Sequence, residues 1–249
     1  MTIAMTLNIP KIELTDNKAL IFTAFIPAMH QDLAELWELL SDQEKMQARK
    51  FINDYLKDRY VIAHGLLRHL LSFYVAVAPR DIQYRTNQFG KPFLMNGSDN
   101  SNSRVQFNMS HSKDYAAYII ALDYQVGIDI EWQDKDIKLQ EISELVLSPL
   151  EVMLFNQLNS RGKFRAFYDI WTKKEAIIKA VGQGLSYPIT TIEIIHLIGN
   201  NTIFYETKGN TFYISGLLSL KHYAGAVAIT HKLDQLIHTD IANHRILHY

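Results

Sequence analysis

Residues 167–185 read F-Y-D-I-W-T-K-K-E-A-I-I-K-A-V-G-Q-G-L and carry two lysines and a glutamate inside a run whose other periodic positions are apolar. At about 100° per residue, Phe167, Ile170, Trp171, Ile178 and Val181 share one side of a helix. Lys174 projects into the middle of that stripe, with Glu175 at its edge and Lys179 four residues on along the same edge. An ammonium and a carboxylate on a core-facing stripe are costly unless each finds a partner. The stretch therefore holds either a structural ion pair or a polyanion and metal site. Gly182 and Gly184 are placed to end the helix and turn the chain sharply.

Working outward, Tyr124 to Trp132 contains G-I-D-I-E, in which apolar and acidic residues alternate as on a half-buried strand. Asp129 and Glu131 then face the same way. Two neighbouring carboxylates repel, and a hard cation such as Mg2+ between them removes the repulsion; a solvated acidic strand face would look the same. Glu175 is the obvious third acid, with Lys174 and Lys179 beside it to neutralise phosphate oxygens. The segment F-N-M-S-H-S, Phe107 to Ser112, lies between the extended run 104–107 and the strand-like run 115–122, and reads as a turn carrying the donors Asn108, Ser110, His111 and Ser112. Upstream, Phe89-Gly90-Lys91-Pro92-Phe93 offers a lysine held on a Gly-Pro turn.

In this order, G-K-P, F-N-x-S-H-S, G-x-D-x-E and W-x-x-K-E-A-x-x-K-x-x-G-x-G-L resemble the 4'-phosphopantetheinyl transferases of the longer Sfp type. The resemblance runs from about Glu44 to Leu185, and the tryptophan with K-E-A is similar to the subgroup linked to polyketide, fatty-acid-like or glycolipid pathways. It implies a holo-[acyl-carrier-protein] synthase activity. The phosphopantetheine arm of coenzyme A passes to a serine of an apo acyl or peptidyl carrier protein, and 3',5'-ADP leaves. It implies Asp129, Glu131 and Glu175 as Mg2+ ligands, Glu175 and Lys179 as catalytic groups, and Lys174 and Lys179 as phosphate contacts. Ser110 and His111 correspond to positions that hold coenzyme A, with Lys91 nearby. In the first half, the basic residues of 45–59 are matched to a grip on the 3'-phosphate and adenosine, which makes Lys45, Arg49, Lys50 and Arg59 candidates; a solvated helix face is the plain alternative. Carrier docking is expected around Leu145 to Phe155.

The punctuation gives helix-like periodicity over about 31–77, short strands over 82–122 around the polar loop Asn96 to Ser103, and then a second cycle. That cycle has the strand 126–132, helix-like stretches over 139–181, and β-rich segments at 189–198, 202–207, 211–220 and 223–231. Helices and hairpin-linked strands, twice over, predict an α+β fold. The family resemblance adds a pseudo-duplicated architecture: similar halves at 1–122 and 123–249, each with helices on a small, mainly antiparallel sheet, and coenzyme A between them. Residues 1–40 and the tail after about Lys232 match nothing further, and the tail histidines His231, His238, His244 and His248 read as surface residues.

With 249 residues, 48% of them hydrophobic, the chain can bury a full core. A net charge of −1 provides no global field for polyanions, which disfavours non-specific nucleic-acid binding. The absence of cysteine excludes disulfides and thiolate chemistry and fits a cytoplasmic protein. Neither a signal sequence nor a run of about 18 apolar residues occurs, so no membrane partner is expected. A monomer is expected, because both halves of the site lie in one chain. Three other readings compete. A metal-dependent nuclease or phosphodiesterase would use Asp129, Glu131 and the D-I-K at 136–138. A non-catalytic module would bind coenzyme A or a carrier. A hydrolase built on adjacent Ser110 and His111 is disfavoured, because neighbours on a turn do not easily form the required hydrogen bond.

Overall fold

A computed structural model describes residues 7, 9–75, 77–95, 103–194, 202–207, 209–217, 220–243 and 245–248. The first half opens on strand β1 (Lys18–Phe25), followed by a 3-10 stretch (Ile26–Asp32) and helices α1 (Leu33–Leu39), α2 (Asp42–Ala48) and α3 (Asp54–Ser72). A capping box starts α2: the Ser41 hydroxyl accepts from the Glu44 N–H and the Glu44 carboxylate accepts from the Ser41 N–H. Strands β2 (Tyr84–Thr86) and β3 (Pro92–Leu94) form a hairpin, and β4 (Val105–Ser112) and β5 (Tyr115–Leu122) another. The second half runs β6 (Val126–Trp132), α4 (Leu139–Val146), α5 (Pro149–Asn156), α6 (Ser160–Val181), β7 (Thr202–Thr207), β8 (Asn210–Gly216) and β9 (Tyr223–Ile229), and the chain closes with β10 (Gln235–Asp240) and β11 (Arg245–His248).

The architecture is α+β in four layers, because the period of two along the central strands gives each sheet two buried faces. The first sheet has the order β11-β10-β1-β5-β4 and the second β6-β9-β8-β7. On β1 and β5, Leu20, Phe22, Tyr118 and Ile120 face α3, where they meet Leu66 and Leu70. The alternate residues Ala19, Ile21, Ala117 and Ile119 face the other sheet and pack on Ile128, Ile130, Val227 and Ile229. On the far side of the second sheet, Ala226, Ala228, Phe212 and Ile214 receive Ala176, Ile177 and Ala180 of α6. Among the described residues no helix is long and apolar enough to cross a membrane.

Several expectations need correcting. The segment F-N-M-S-H-S is the end of strand β4, not a turn; its polar residues alternate because only one of its faces meets the second half, and the turn comes at Lys113, with φ of 41°. Residues Ile189–Thr191 form a 3-10 turn where a strand was expected, and 195–198 lie outside the described residues, as do 96–102 of the polar loop. The segment before residue 40 supplies β1, whose six central positions are all buried. The tail after Lys232 supplies β10, which pairs in parallel with β1, so a division at residues 122 and 123 does not describe where the tail goes. His238 is buried, 2.9 Å from the Thr23 hydroxyl, and His231 stacks on Tyr124 at 4.2 Å; His244 and the His248 side chain lie outside the described residues.

Candidate active site at the joint of the two halves

Gly127 sets the geometry. A Cβ there would lie 2.0 Å from the Ala176 carbonyl oxygen and 2.5 Å from the Ala180 nitrogen, so strand β6 and helix α6 touch backbone to backbone. Asp129, two residues along on the same face, is thereby brought beneath the helix edge that carries Glu175 and Lys179. Asp129 is 2% exposed. Its Oδ1 accepts from Lys179 Nζ at 2.6 Å and from Ser110 Oγ at 3.0 Å, and Lys179 also reaches Ser110 Oγ at 2.8 Å. Its Oδ2 is buried without a hydrogen-bond partner. Glu131, next on that face, accepts from Ser112 Oγ at 2.9 Å.

The cluster carries surplus negative charge. Burial, and then the Asp129 carboxylate, push Glu131 up to about 7, although the Ser112 hydrogen bond and Lys179 pull the other way. Burial and Asp129 also raise Glu175, opposed by Lys179 and by a hydrogen bond from Trp171. Among the described residues, no three His, Cys, Asp or Glu side chains close into a ready-made metal-ligating set. The donor chemistry nonetheless fits a hard divalent cation: carboxylate oxygens, one of them orphaned, and two acids raised by burial and by the neighbouring Asp129 carboxylate.

Positive groups border the acids on the side of the first half. His111 is held below the ordinary imidazole range, first by burial and then by Arg59, His64 and Lys179, so it senses groups of both halves. Arg59 contacts Tyr55 OH at 2.7 Å and lies 3.7 Å from Asp114. His64, which the sequence reading passed over inside the apolar run of α3, stacks on Tyr60 at 4.0 Å and contacts Glu44 at 3.6 Å. Its only signal was a polar residue about one helical turn beyond the basic Arg59.

Other expected residues go elsewhere. Lys174 is 0% exposed, and its ammonium lies 2.5 Å from Glu151 and 2.8 Å from the Val146 carbonyl. It is the structural ion pair that the stripe also allowed, and its phosphate-contact role is not supported by its position. Lys91 donates to the carbonyls of Ala180 at 2.9 Å and Val126 at 3.1 Å, so it caps the end of α6 and ties it to β6; burial lowers it to about 8. Lys45 pairs with Glu38 at 3.1 Å, Lys45 and Arg49 lie over the Trp37 ring, and Lys50 is exposed. Of the four basic candidates in 45–59, Arg59 is the one in the field of His111.

Comparison with known proteins bears on this arrangement. Residues 125–228 match the family model described as the 4'-phosphopantetheinyl transferase superfamily, and residues 26–122 match the model for the N-terminal part of 4'-phosphopantetheinyl transferases. The chain belongs to the 4'-phosphopantetheinyl transferase superfamily. Among its relatives, 4'-phosphopantetheinyl transferase HetI of Nostoc sp. is 28% identical over 71% of this chain and 74% of its own length. The corresponding transferase Sfp of Bacillus subtilis is 28% identical over 82% and 88%, and gsp of Aneurinibacillus migulanus 31% identical over 67% and 66%. The acids and Lys179 fall inside the first matched segment, and Arg59, His64 and His111 inside the second, so this transferase's cluster draws on both.

Proposed function

We propose that this enzyme transfers the 4'-phosphopantetheine arm of coenzyme A to a serine hydroxyl of an apo acyl or peptidyl carrier protein, as a cytoplasmic monomer, with Mg2+ held by Asp129, Glu131 and Glu175. The observation that carries the reading is the undersatisfied acid cluster beside Lys179, with His111 and Arg59 contributed from the first half. When bound, the ion would polarise the pyrophosphate and neutralise part of its charge.

The protein's own groups divide the remaining work. Arg59 holds a phosphate of coenzyme A by charge, and the rings of His64 and His111 offer it hydrogen bonds. The carrier serine attacks the phosphorus that bears the pantetheine arm, and the bond from that phosphorus to the oxygen of the departing phosphate breaks. Glu175, raised by burial and by Asp129, takes the serine proton directly or through a water. Lys179 offsets the charge that grows on the departing 3',5'-ADP. The exposed apolar side chains Leu145 and Met153 on α4 and α5 suit docking of the carrier.

The test is incubation of the purified protein with coenzyme A, Mg2+ and a panel of apo carrier proteins, followed by intact mass spectrometry. A mass gain of one phosphopantetheine, abolished by a chelator, is expected. Coenzyme A binding without any gain would favour a non-catalytic module, and absence of both would overturn the reading.

A further inference from the structure

Strands β4 and β6 are the facing edges of the two sheets, yet they do not pair through their backbones. The β6 edge presents the N–H groups of Ile128, Ile130 and Trp132 to β4, and buried N–H groups are costly to leave unpaired. Side chains take them instead. Asn108 Oδ1 accepts from Ile128 N–H at 3.0 Å, Ser110 Oγ from Ile130 N–H at 3.4 Å, and Ser112 Oγ from Trp132 N–H at 3.0 Å. The spacing is two residues on both strands, so the three contacts form one register.

Each serine does a second job. A hydroxyl has one proton and two lone pairs; with a lone pair occupied by the β6 backbone, the proton goes to the acid one residue earlier on the same strand. Ser110 donates to Asp129 at 3.0 Å and Ser112 to Glu131 at 2.9 Å. Each serine thus grips the strand and the carboxylate that the strand carries.

We infer that Asn108, Ser110 and Ser112 form a side-chain ladder that replaces β-pairing between the two halves, and that Ser112 is a positioning residue that aims Glu131. The aiming rests on the metal-dependent reading above; the ladder does not. Groups that hydrogen-bond a metal-ligating side chain in this way change metal affinity by roughly 10–100-fold. Asn108 touches no acid, so it separates the ladder from the aiming.

Two measurements on the full chain test this. Calorimetric titration of Mn2+ should show affinity roughly 10–100-fold weaker in Ser112→Ala, near wild type in Ser112→Thr, and little changed in Asn108→Ala. In a Glu131→Gln background, Ser112→Ala should add little further loss. Amide hydrogen exchange should quicken at Trp132 in Ser112→Ala and at Ile128 in Asn108→Ala, by about threefold to tenfold for one lost hydrogen bond. Wild-type Mn2+ affinity in Ser112→Ala, or an undiminished loss in the Glu131→Gln background, overturns the aiming. Unchanged exchange at both amides overturns the ladder. If the wild-type protein binds no Mn2+, the metal-dependent reading fails and the aiming with it, and exchange alone decides the ladder.

Discussion

Lys174 and Lys179 lie five residues apart on one helix and end in opposite circumstances. Lys174 is enclosed with one carboxylate, Glu151, and a backbone carbonyl, while Glu151 is itself satisfied by the N–H groups of Ser148 and Ile194. Lys179 faces Asp129, with Glu131 and Glu175 close enough to be raised by the same charge. A second closed pair, Glu44 with Arg68, shows what balance does to an acid. Burial raises Glu44, but His64, Arg68 and the Ser41 backbone outweigh it and hold it at about 2. Where charges and hydrogen bonds balance, the pair belongs to the fold. Where three acids lie near one lysine and an oxygen is orphaned, the cluster is a candidate for a ligand site, which is the reading proposed above.

The largest effect that separates the two regions is on turnover. Lys179→Ala should lower carrier modification roughly 10²–10⁴-fold at a smaller cost in stability than loss of Lys174, because the Lys179 side chain is 28% exposed and water can reach the Asp129 pair. Lys174→Ala should do the reverse, destabilising the protein by about 3–5 kcal/mol by leaving Glu151 buried and uncompensated, with normal turnover in the folded fraction. Denaturant melts alongside the mass assay read both, and a Lys174→Ala protein of normal stability without turnover would erase the distinction. Next in size is Gly127→Ala, which forces strand β6 off helix α6 at Ala176 and Ala180. Overpacking of this kind costs roughly 1–3 kcal/mol, and here it also separates Asp129 from Lys179, so stability and turnover should fall together.

The smallest effect is the dependence of stability on pH, and the two regions give it opposite signs. Glu131 and Glu175 have folded values above the ordinary one, so the folded chain binds more protons; the Glu131 contribution falls as pH rises from about 4.5 to about 7, and Glu175 acts in the same direction. With partial exposure, the loss in chelator is about 1–2 kcal/mol. Glu44, held down, contributes fully above about 4.5, and that stability is lost as pH falls toward about 2. Added Mg2+ should reverse the loss on the neutral side and leave the acid side alone. Melting curves across pH with and without Mg2+ check this, and equal Mg2+ stabilisation at pH 4 and pH 7 would contradict it.

The acidic strand was legible because period-two alternation places Asp129 and Glu131 on one face whatever surrounds them. The helix at 160–181 was legible for the same kind of reason, and so was the α+β class. The role of Lys174 was not, since its partner Glu151 sits on another helix and nothing local links them. Asn108, Ser110 and Ser112 look like turn residues until β6 supplies the edge N–H groups they satisfy. Strand β1 was missed because a run buried on both faces has no alternation, and β10 because its pairing partner lies some 215 residues away.

The central claim is that the acid cluster is a cation site and the closed pairs are not. Calorimetric titration of Mg2+ into the protein with coenzyme A present, for the wild type and for Glu131→Gln, tests it most directly. One Mg2+ site in the wild type, weakened at least about tenfold in Glu131→Gln, is the predicted result. Equal affinity in the two folded proteins would contradict it.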